Sequence, residues 1–331
     1  MEGKLRSVGI HQASGWVEAV LDKLVFTNIP PGMPSDTADN TVLYVGEQIV
    51  LDKLRRKHGE IPQKYTPLSG DQVVIQPTSS MGLGVFAKRN FEPGDLVVCE
   101  RPLLVIAADI YSDPSLAARG LNTNYLINLR QLGTILKSAN SHFLRANRDA
   151  FADLSKDYAL DPVADILIKD HFPELYILSC NGFKTRNDSQ MFGVYKDYRV
   201  VPRVASRINH SCSPNAIYYF DEATFTFNVV ATRKIEASSE ISLMYCALEV
   251  PRVHRHDSLR CYNIDPCRCV ACETSDKEGS DRRRKMIKDI QSDTALVERL
   301  ADLSLAELLR IQQAVEEEGL HYLAVYPWCC N

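Results

Sequence analysis

Three cysteines within six residues, Cys267-Arg268-Cys269-Val270-Ala271-Cys272, constrain this chain more than any other stretch. Thiolates spaced this closely can wrap one side of a single metal ion, and zinc prefers four thiolate or imidazole ligands in a tetrahedron. The fourth ligand must therefore come from elsewhere, and His210, Cys212, Cys246 and Cys261 are the chemical candidates. Five of the ten cysteines lie between Cys246 and Cys272, which favours a local metal site over scattered core thiols. Met1 to Val20 mixes Glu2, Lys4, Arg6, His11 and Glu18 into its apolar residues and offers no signal-peptide core. No stretch approaches the roughly 18 apolar residues of a membrane span. A soluble intracellular protein is expected, in the nucleus or cytoplasm, with no membrane partner and with thiols held as metal ligands or free groups rather than disulfides.

At 331 residues, with 45% hydrophobic and 24% charged residues, the chain can bury a sizeable core. Its net charge of −4 gives no general electrostatic footprint for nucleic acid, so direct nucleic-acid binding is not expected, and any action on chromatin would go through a protein substrate.

Residues 1–71 read as an N-terminal extension without an assigned function. In it, Asn28-Ile29-Pro30-Pro31-Gly32-Met33-Pro34 reads as a loop, and Thr41 to Lys57 as a helix stopped by Gly59. From Val73 the texture becomes β-rich: Val73-Val74-Ile75 and Val85-Phe86-Ala87 flank a turn at Ser79–Gly84, and Leu96–Cys99 and Pro102–Ile106 follow. Gly82 and Gly84 allow close backbone approach to a ligand, although G-x-G alone reads more readily as a simple hairpin turn. Between 107 and 178 the periodicity turns helical. Leu121, Tyr125, Leu129, Leu132 and Leu136 form one stripe, Phe151 and Leu154 suggest a second helix, and Val163 to Asp170 a third, ended by Phe172-Pro173.

Strand signals return at Tyr198 to Ala205, Ala216 to Phe220, Thr224 to Ala231 and Ile241 to Tyr245. Among them lies Asn209-His210-Ser211-Cys212-Ser213-Pro214-Asn215, too polar for an ordinary core strand. Asp281-Arg282-Arg283-Arg284-Lys285 reads as a solvated helix start. Ser304-Leu305-Ala306-Glu307 fits a capping box, with Gly319 as the stop.

Taken in order, Gly82-Leu83-Gly84-Val85-Phe86-Ala87, Glu100-Arg101-Pro102-Leu103-Leu104, Asn209-His210-Ser211-Cys212, Glu240-Ile241-x-x-x-Tyr245 and the three clustered cysteines resemble a SET-domain protein-lysine methyltransferase. The nearest likeness is to the SMYD-type branch, and in particular to fungal relatives without a MYND zinc finger, since no cysteine lies between Cys99 and Cys180. The resemblance covers about residues 72–273. It implies an α+β protein: a SET β-fold of small antiparallel sheets with a helical insert, a zinc-binding post-SET tail and a helical C-terminal extension. The segments expected are 72–106 and 179–248 for the two SET parts, 107–178 for the insert, 249–274 for the post-SET tail and 275–331 for the C-terminal region. Because related proteins continue with more helices after Pro327-Trp328-Cys329-Cys330-Asn331, the chain reads as a short or truncated form.

The activity implied is methyl transfer from S-adenosylmethionine to lysine in a protein substrate, histone or non-histone. A catalytically weak SET module acting as a protein-binding scaffold is the competing class. By the same resemblance, Tyr245 is the catalytic candidate, and Gly82, Leu83, Gly84, Asn181, Asn209, His210, Tyr245, Tyr262 and Ile264 are the cofactor-binding candidates. Phe183, Tyr245 and Tyr262 would line the lysine channel. Ile264 stands where family members usually carry phenylalanine, and Tyr262 is displaced by about one place. The resemblance also selects Cys212 as the fourth ligand of a structural zinc held with Cys267, Cys269 and Cys272. A Cys212–His210 nucleophilic pair is the competing use of those residues, and the clustered cysteines give Cys212 a better one.

Overall fold

The computed structural model describes residues 21–32, 41–68, 70–107, 121–160, 162–185, 198–292 and 303–321. Met1 to Val20, Met33 and Pro34 of the proline-rich loop, the side chains of Leu121, Tyr125 and Val163, and Pro327 to Asn331 lie outside the described residues.

The architecture is α+β with small sheets. Strands β1 (Leu24–Ile29), β2 (Val42–Glu47), β6 (Leu104–Ala107), β7 (Phe183–Thr185) and β8 (Tyr198–Val201) form a five-stranded sheet in the order β1-β2-β6-β8-β7. Its ladders are antiparallel except for the parallel pairing of β2 with β6. Strands β3 (Val73–Pro77) and β4 (Leu83–Ala87) make an antiparallel pair, whereas β9 (Asn209–His210) and β12 (Ser242–Leu243) make a short parallel one. Strands β10 (Ala216–Asp221), β11 (Thr226–Ala231) and β5 (Leu96–Glu100) form a three-stranded sheet in the order β10-β11-β5. Among the described residues no helix is long and apolar enough to cross a membrane.

The chain divides into two compact units, each built from separated stretches. The first comprises 1–67, 100–206 and 220–227, and the second 68–99, 207–219 and 228–331. In the first unit, helix α1 (Gln48–His58) follows β2 directly, so the stretch read as one helix is a strand and then a helix. Val42, Leu43, Tyr44 and Val45 are all fully buried, as suits a strand covered on both faces, while Val50, Leu51 and Leu54 supply the single buried face of α1. Gly59 ends it with a positive φ of 79°.

Helices α2 (Leu121–Asn140), α3 (Arg145–Ala152), α4 (Pro162–Ile168) and α5 (Pro173–Asn181) belong to this unit. Leu132, Ile135, Leu136 and Ala139 of α2, Phe151 of α3 and Leu175, Ile177 and Leu178 of α5 share one core with Leu43, Val45, Leu104, Ile106 and Val201 of the sheet. Helix α5 carries no sequence periodicity because Leu175, Tyr176, Ile177 and Leu178 are all buried.

The second unit ends in helices α6 (Arg252–Leu259), α7 (Lys277–Ser292) and α8 (Leu305–Glu318). Helix α8 begins with the expected capping box between Ser304 and Glu307 and ends at Gly319 with φ 64°. Ile287, Ile290, Ile311, Ala314 and Val315 enclose Cys212, Cys267 and Cys272 in one core. The charge run lies within α7, with Arg282 and Lys285 exposed as read. Arg284 is fully buried, because α8 brings Glu318 against it.

Candidate functional site

The hairpin between β3 and β4 sets one wall of the site. Gly82 takes φ 68°, its carbonyl accepts from Thr78 N at 2.7 Å and from Thr78 Oγ1 at 3.0 Å, and the Met81 amide donates to Thr78 Oγ1 at 2.9 Å. Gly84 is required for space rather than conformation. A Cβ there would stand 2.6 Å from Glu240 Oε1, 2.6 Å from Thr78 Cγ2 and 3.1 Å from Asn209 Nδ2.

Those neighbours are fixed by one another. Asn209 Nδ2 donates to Leu83 O at 3.1 Å and to Glu240 Oε1 at 2.8 Å, tying the glycine-containing strand to the segment before Tyr245. Asn215 reinforces it, donating from Nδ2 to Glu240 O at 2.9 Å and accepting from Ser242 N at 2.8 Å. Glu240 was visible in the sequence only as the first letter of the element ending at Tyr245. Its carboxylate turns out to orient the Asn209 amide.

Tyr245 follows β12. Its hydroxyl donates to Ile208 O at 2.6 Å, so its proton is committed to a main-chain carbonyl. The Tyr245 ring lies 5.0 Å from that of Tyr262 and 5.5 Å from that of His210. Tyr262 closes the 3₁₀ turn Arg260–Tyr262, and it packs with Tyr245 and Ile264 against the same core as the cysteines.

His210 is 4% exposed, and its ring is engaged at both nitrogens. Tyr245 N donates to Nδ1 at 3.1 Å, and Nε2 lies 3.3 Å from Cys212 Sγ. Burial pushes its pKa down to about 4. The imidazole is neutral at pH 7, and because Nδ1 accepts, its proton sits on Nε2 and faces the sulfur.

The sulfurs of Cys212, Cys267, Cys269 and Cys272 all lie within 4.8 Å of one another. Cys212 and Cys272, 60 residues apart in sequence, are 3.6 Å apart at sulfur. Zinc–sulfur bonds of about 2.3 Å give a tetrahedral edge of about 3.8 Å, so the four thiols fit that ion closely. Hydrogen bonds from the Cys212, Cys267 and Cys272 thiols hold Cys269 far below its ordinary value, while contacts with Cys267, Cys269 and Cys272 push Cys212 far above it. A bound divalent ion would let all four ionise together.

Polar groups surround the sulfurs. Cys212 N donates to Cys269 Sγ at 3.3 Å, and His256 Nε2 is 3.4 Å from Cys272 Sγ. Arg255 is fully buried; burial opposes its charge, but the Cys212 and Cys272 sulfurs outweigh that and raise its pKa. Arg284 donates to Cys212 O at 2.9 Å, to Leu248 O at 2.7 Å and to Glu318 Oε2 at 2.8 Å. Local patterning gave no sign that these arginines are buried, since Cys212 and Glu318 lie far from them along the chain.

The second unit thus brings together Gly82, Leu83, Gly84, Asn209, His210, Tyr245, Tyr262, Ile264 and the four cysteines. Asn181 and Phe183 belong to the first unit. Asn181 ends helix α5 rather than standing in a strand, and its amide donates to Ser155 O at 2.7 Å and Ile177 O at 2.8 Å. Phe183 opens β7 with its ring 4.9 Å from that of Phe227.

Residues 82–246 match the SET domain family. Histone-lysine N-methyltransferase SMYD3 of Mus musculus is 28% identical over 191 residues, covering 56% of this chain and 40% of the mouse protein. SET domain-containing protein SmydA-8, isoform B, of Drosophila melanogaster is 30% identical over 100 residues, covering 30% of this chain and 22% of the fly protein. The chain therefore spans less than half the length of these curated relatives.

Proposed function

We propose that this chain, a SMYD-like SET-domain protein, transfers methyl groups from S-adenosylmethionine to lysine side chains of a protein substrate. The observation that carries the reading is the Tyr245 hydroxyl, held by its bond to Ile208 O beside the Asn209–Gly84 wall. When bound, S-adenosylmethionine would supply an electrophilic methyl carbon on a sulfonium, with the thioether as leaving group for attack by the lysine nitrogen. The Gly82-Leu83-Gly84 backbone, Asn209, the His210 main chain, Tyr262 and Ile264 would hold that cofactor.

The lysine must arrive neutral. Removing its proton at pH 7 costs roughly 4 to 5 kcal/mol against a pKa near 10.4, and burial beside aromatic rings lowers that cost. The Tyr245 oxygen then accepts a hydrogen bond from the amine and aims its lone pair, a positioning effect that works only with the hydroxyl present. Zinc at Cys212, Cys267, Cys269 and Cys272 has a structural role here, because four protein ligands leave no open coordination position.

Titration with S-adenosylmethionine, followed by transfer of a labelled methyl group to lysate proteins and histones, tests the reading. Tyr245→Phe is expected to lower the turnover rate about 100-fold or more while changing cofactor affinity little. Neither binding nor transfer by the unaltered protein would leave the protein-binding scaffold, and equal turnover in the variant would remove Tyr245 from its role.

A further inference from the structure

The metal centre and the tyrosine are joined by one side chain. His210 receives the Tyr245 main-chain N–H on Nδ1 at 3.1 Å and directs Nε2 at Cys212 Sγ from 3.3 Å. A backbone amide can only donate, so Nδ1 is the acceptor and the Nε2–H points at the sulfur; no other assignment satisfies both contacts with a neutral ring. The imidazole thus clamps a metal ligand at one end and the backbone of the candidate catalytic residue at the other.

Strand pairing does not do this by itself. The parallel register between β9 and β12 couples Asn209 with Ser242 and His210 with Leu243, and the following Ser211 N donates to Leu243 O at 3.0 Å. Tyr245 lies beyond that ladder. Its amide is fixed by the imidazole and its hydroxyl by Ile208 O.

We propose that His210 is a positioning residue that links the four-cysteine metal centre to the main chain of Tyr245, so that metal occupancy sets where the tyrosine hydroxyl stands. Only the consequence for methyl transfer rests on the function proposed above; the link itself does not. A hydrogen bond to a ligating sulfur also disperses thiolate charge and orients the ligand, an effect commonly amounting to 10- to 100-fold in metal affinity.

Two substitutions separate the ends of the clamp. In His210→Asn the amide oxygen reaches the place of Nδ1 and keeps the Tyr245 amide bonded, but nothing reaches Cys212. In His210→Gln the amide nitrogen reaches the place of Nε2 and keeps the sulfur contact, but Tyr245 N loses its acceptor. Zinc affinity by chelator competition and hydrogen exchange at the Tyr245 amide report on the two ends without any activity measurement. The asparagine variant is expected to bind zinc about 10-fold more weakly and to retain protection at Tyr245 when saturated with zinc. The glutamine variant is expected to keep zinc affinity within about threefold and to lose protection at Tyr245 by about 10-fold or more. In the unaltered protein, removing zinc should accelerate exchange at Tyr245. Equal effects of the two variants on both readings, or no change at Tyr245 when zinc is removed, would overturn the link. If these results hold while the unaltered protein transfers no methyl group, the link stands and the activity reading falls. With transfer present, the glutamine variant should lose turnover rate more than cofactor affinity, a split that mere packing of the ring would not produce.

Discussion

Replacing Cys212 by serine should leave the protein without stoichiometric zinc and without methyl transfer. Serine keeps the backbone contacts of position 212, where the amide meets Cys269 Sγ and the carbonyl meets Arg284. It removes one of the four sulfurs gathered within 4.8 Å. A hydroxyl ionises far less readily than a thiol and is a poor replacement ligand. Structural zinc sites contribute about 10 to 16 kcal/mol of apparent binding free energy that is shared with folding, so losing a ligand should cost several of them. Metal content and thermal unfolding are the measurements, with Asn209→Ala as the comparison. That variant breaks the bonds to Leu83 O and Glu240 but touches no sulfur, so it should retain zinc. Full zinc content in Cys212→Ser would assign the fourth ligand elsewhere.

The second large effect is expected at Glu318. Its carboxylate accepts from Arg284 Nε at 2.8 Å, Arg283 Nε at 2.8 Å and Ser280 Oγ at 2.7 Å, and only 3% of Glu318 is exposed. Glu318→Ala would strand the fully buried Arg284 guanidinium without its counter-ion. Breaking one side of a buried pair commonly costs about 3 to 5 kcal/mol. Because Arg284 also holds the Cys212 carbonyl, zinc should leave the variant faster, as chelator-trapping kinetics would register. Arg284→Met with Glu318→Leu should recover only part of the stability, since the carbonyls of Leu248 and Cys212 would lose their donor. A loss below about 1 kcal/mol in the single variant would mean that water reaches the pair.

Local chemistry was the legible part of this molecule. The β3–β4 hairpin, the Ser304–Glu307 cap and the Gly319 stop are written in neighbouring residues, and the structure follows them. The three clustered cysteines were equally plain, but Cys212 was selected only by family likeness, because a ligand 60 residues away is a fact of tertiary structure. Arg284 shows the same limit from the other side. In its own segment it is one of several consecutive charges, and the counter-ion that makes its burial tolerable, Glu318, comes 34 residues later. Thr41 to Lys57 misled because the buried run Val42–Val45 adjoins the one-sided pattern of α1, and what separates them is pairing with β1 and β6. The motif makes His210 a cofactor-binding candidate, but no sequence pattern says which way its imidazole turns.

The scattered make-up of the second unit bears on how the protein is born. Its four-cysteine cluster joins Cys212 to Cys272, 60 residues later. At about 5 to 20 residues per second, the first of these thiols leaves the ribosome roughly 3 to 12 seconds before the last. Throughout that interval Cys212 has neither its metal partners nor the Arg284 and Glu318 enclosure, which is synthesised later still. The first unit is complete in sequence at residue 227 and does not have to wait. If zinc fills the cluster, a nascent chain short of the ion would carry Cys212 without its shelter for longer, and metal supply would bear first on how many molecules mature.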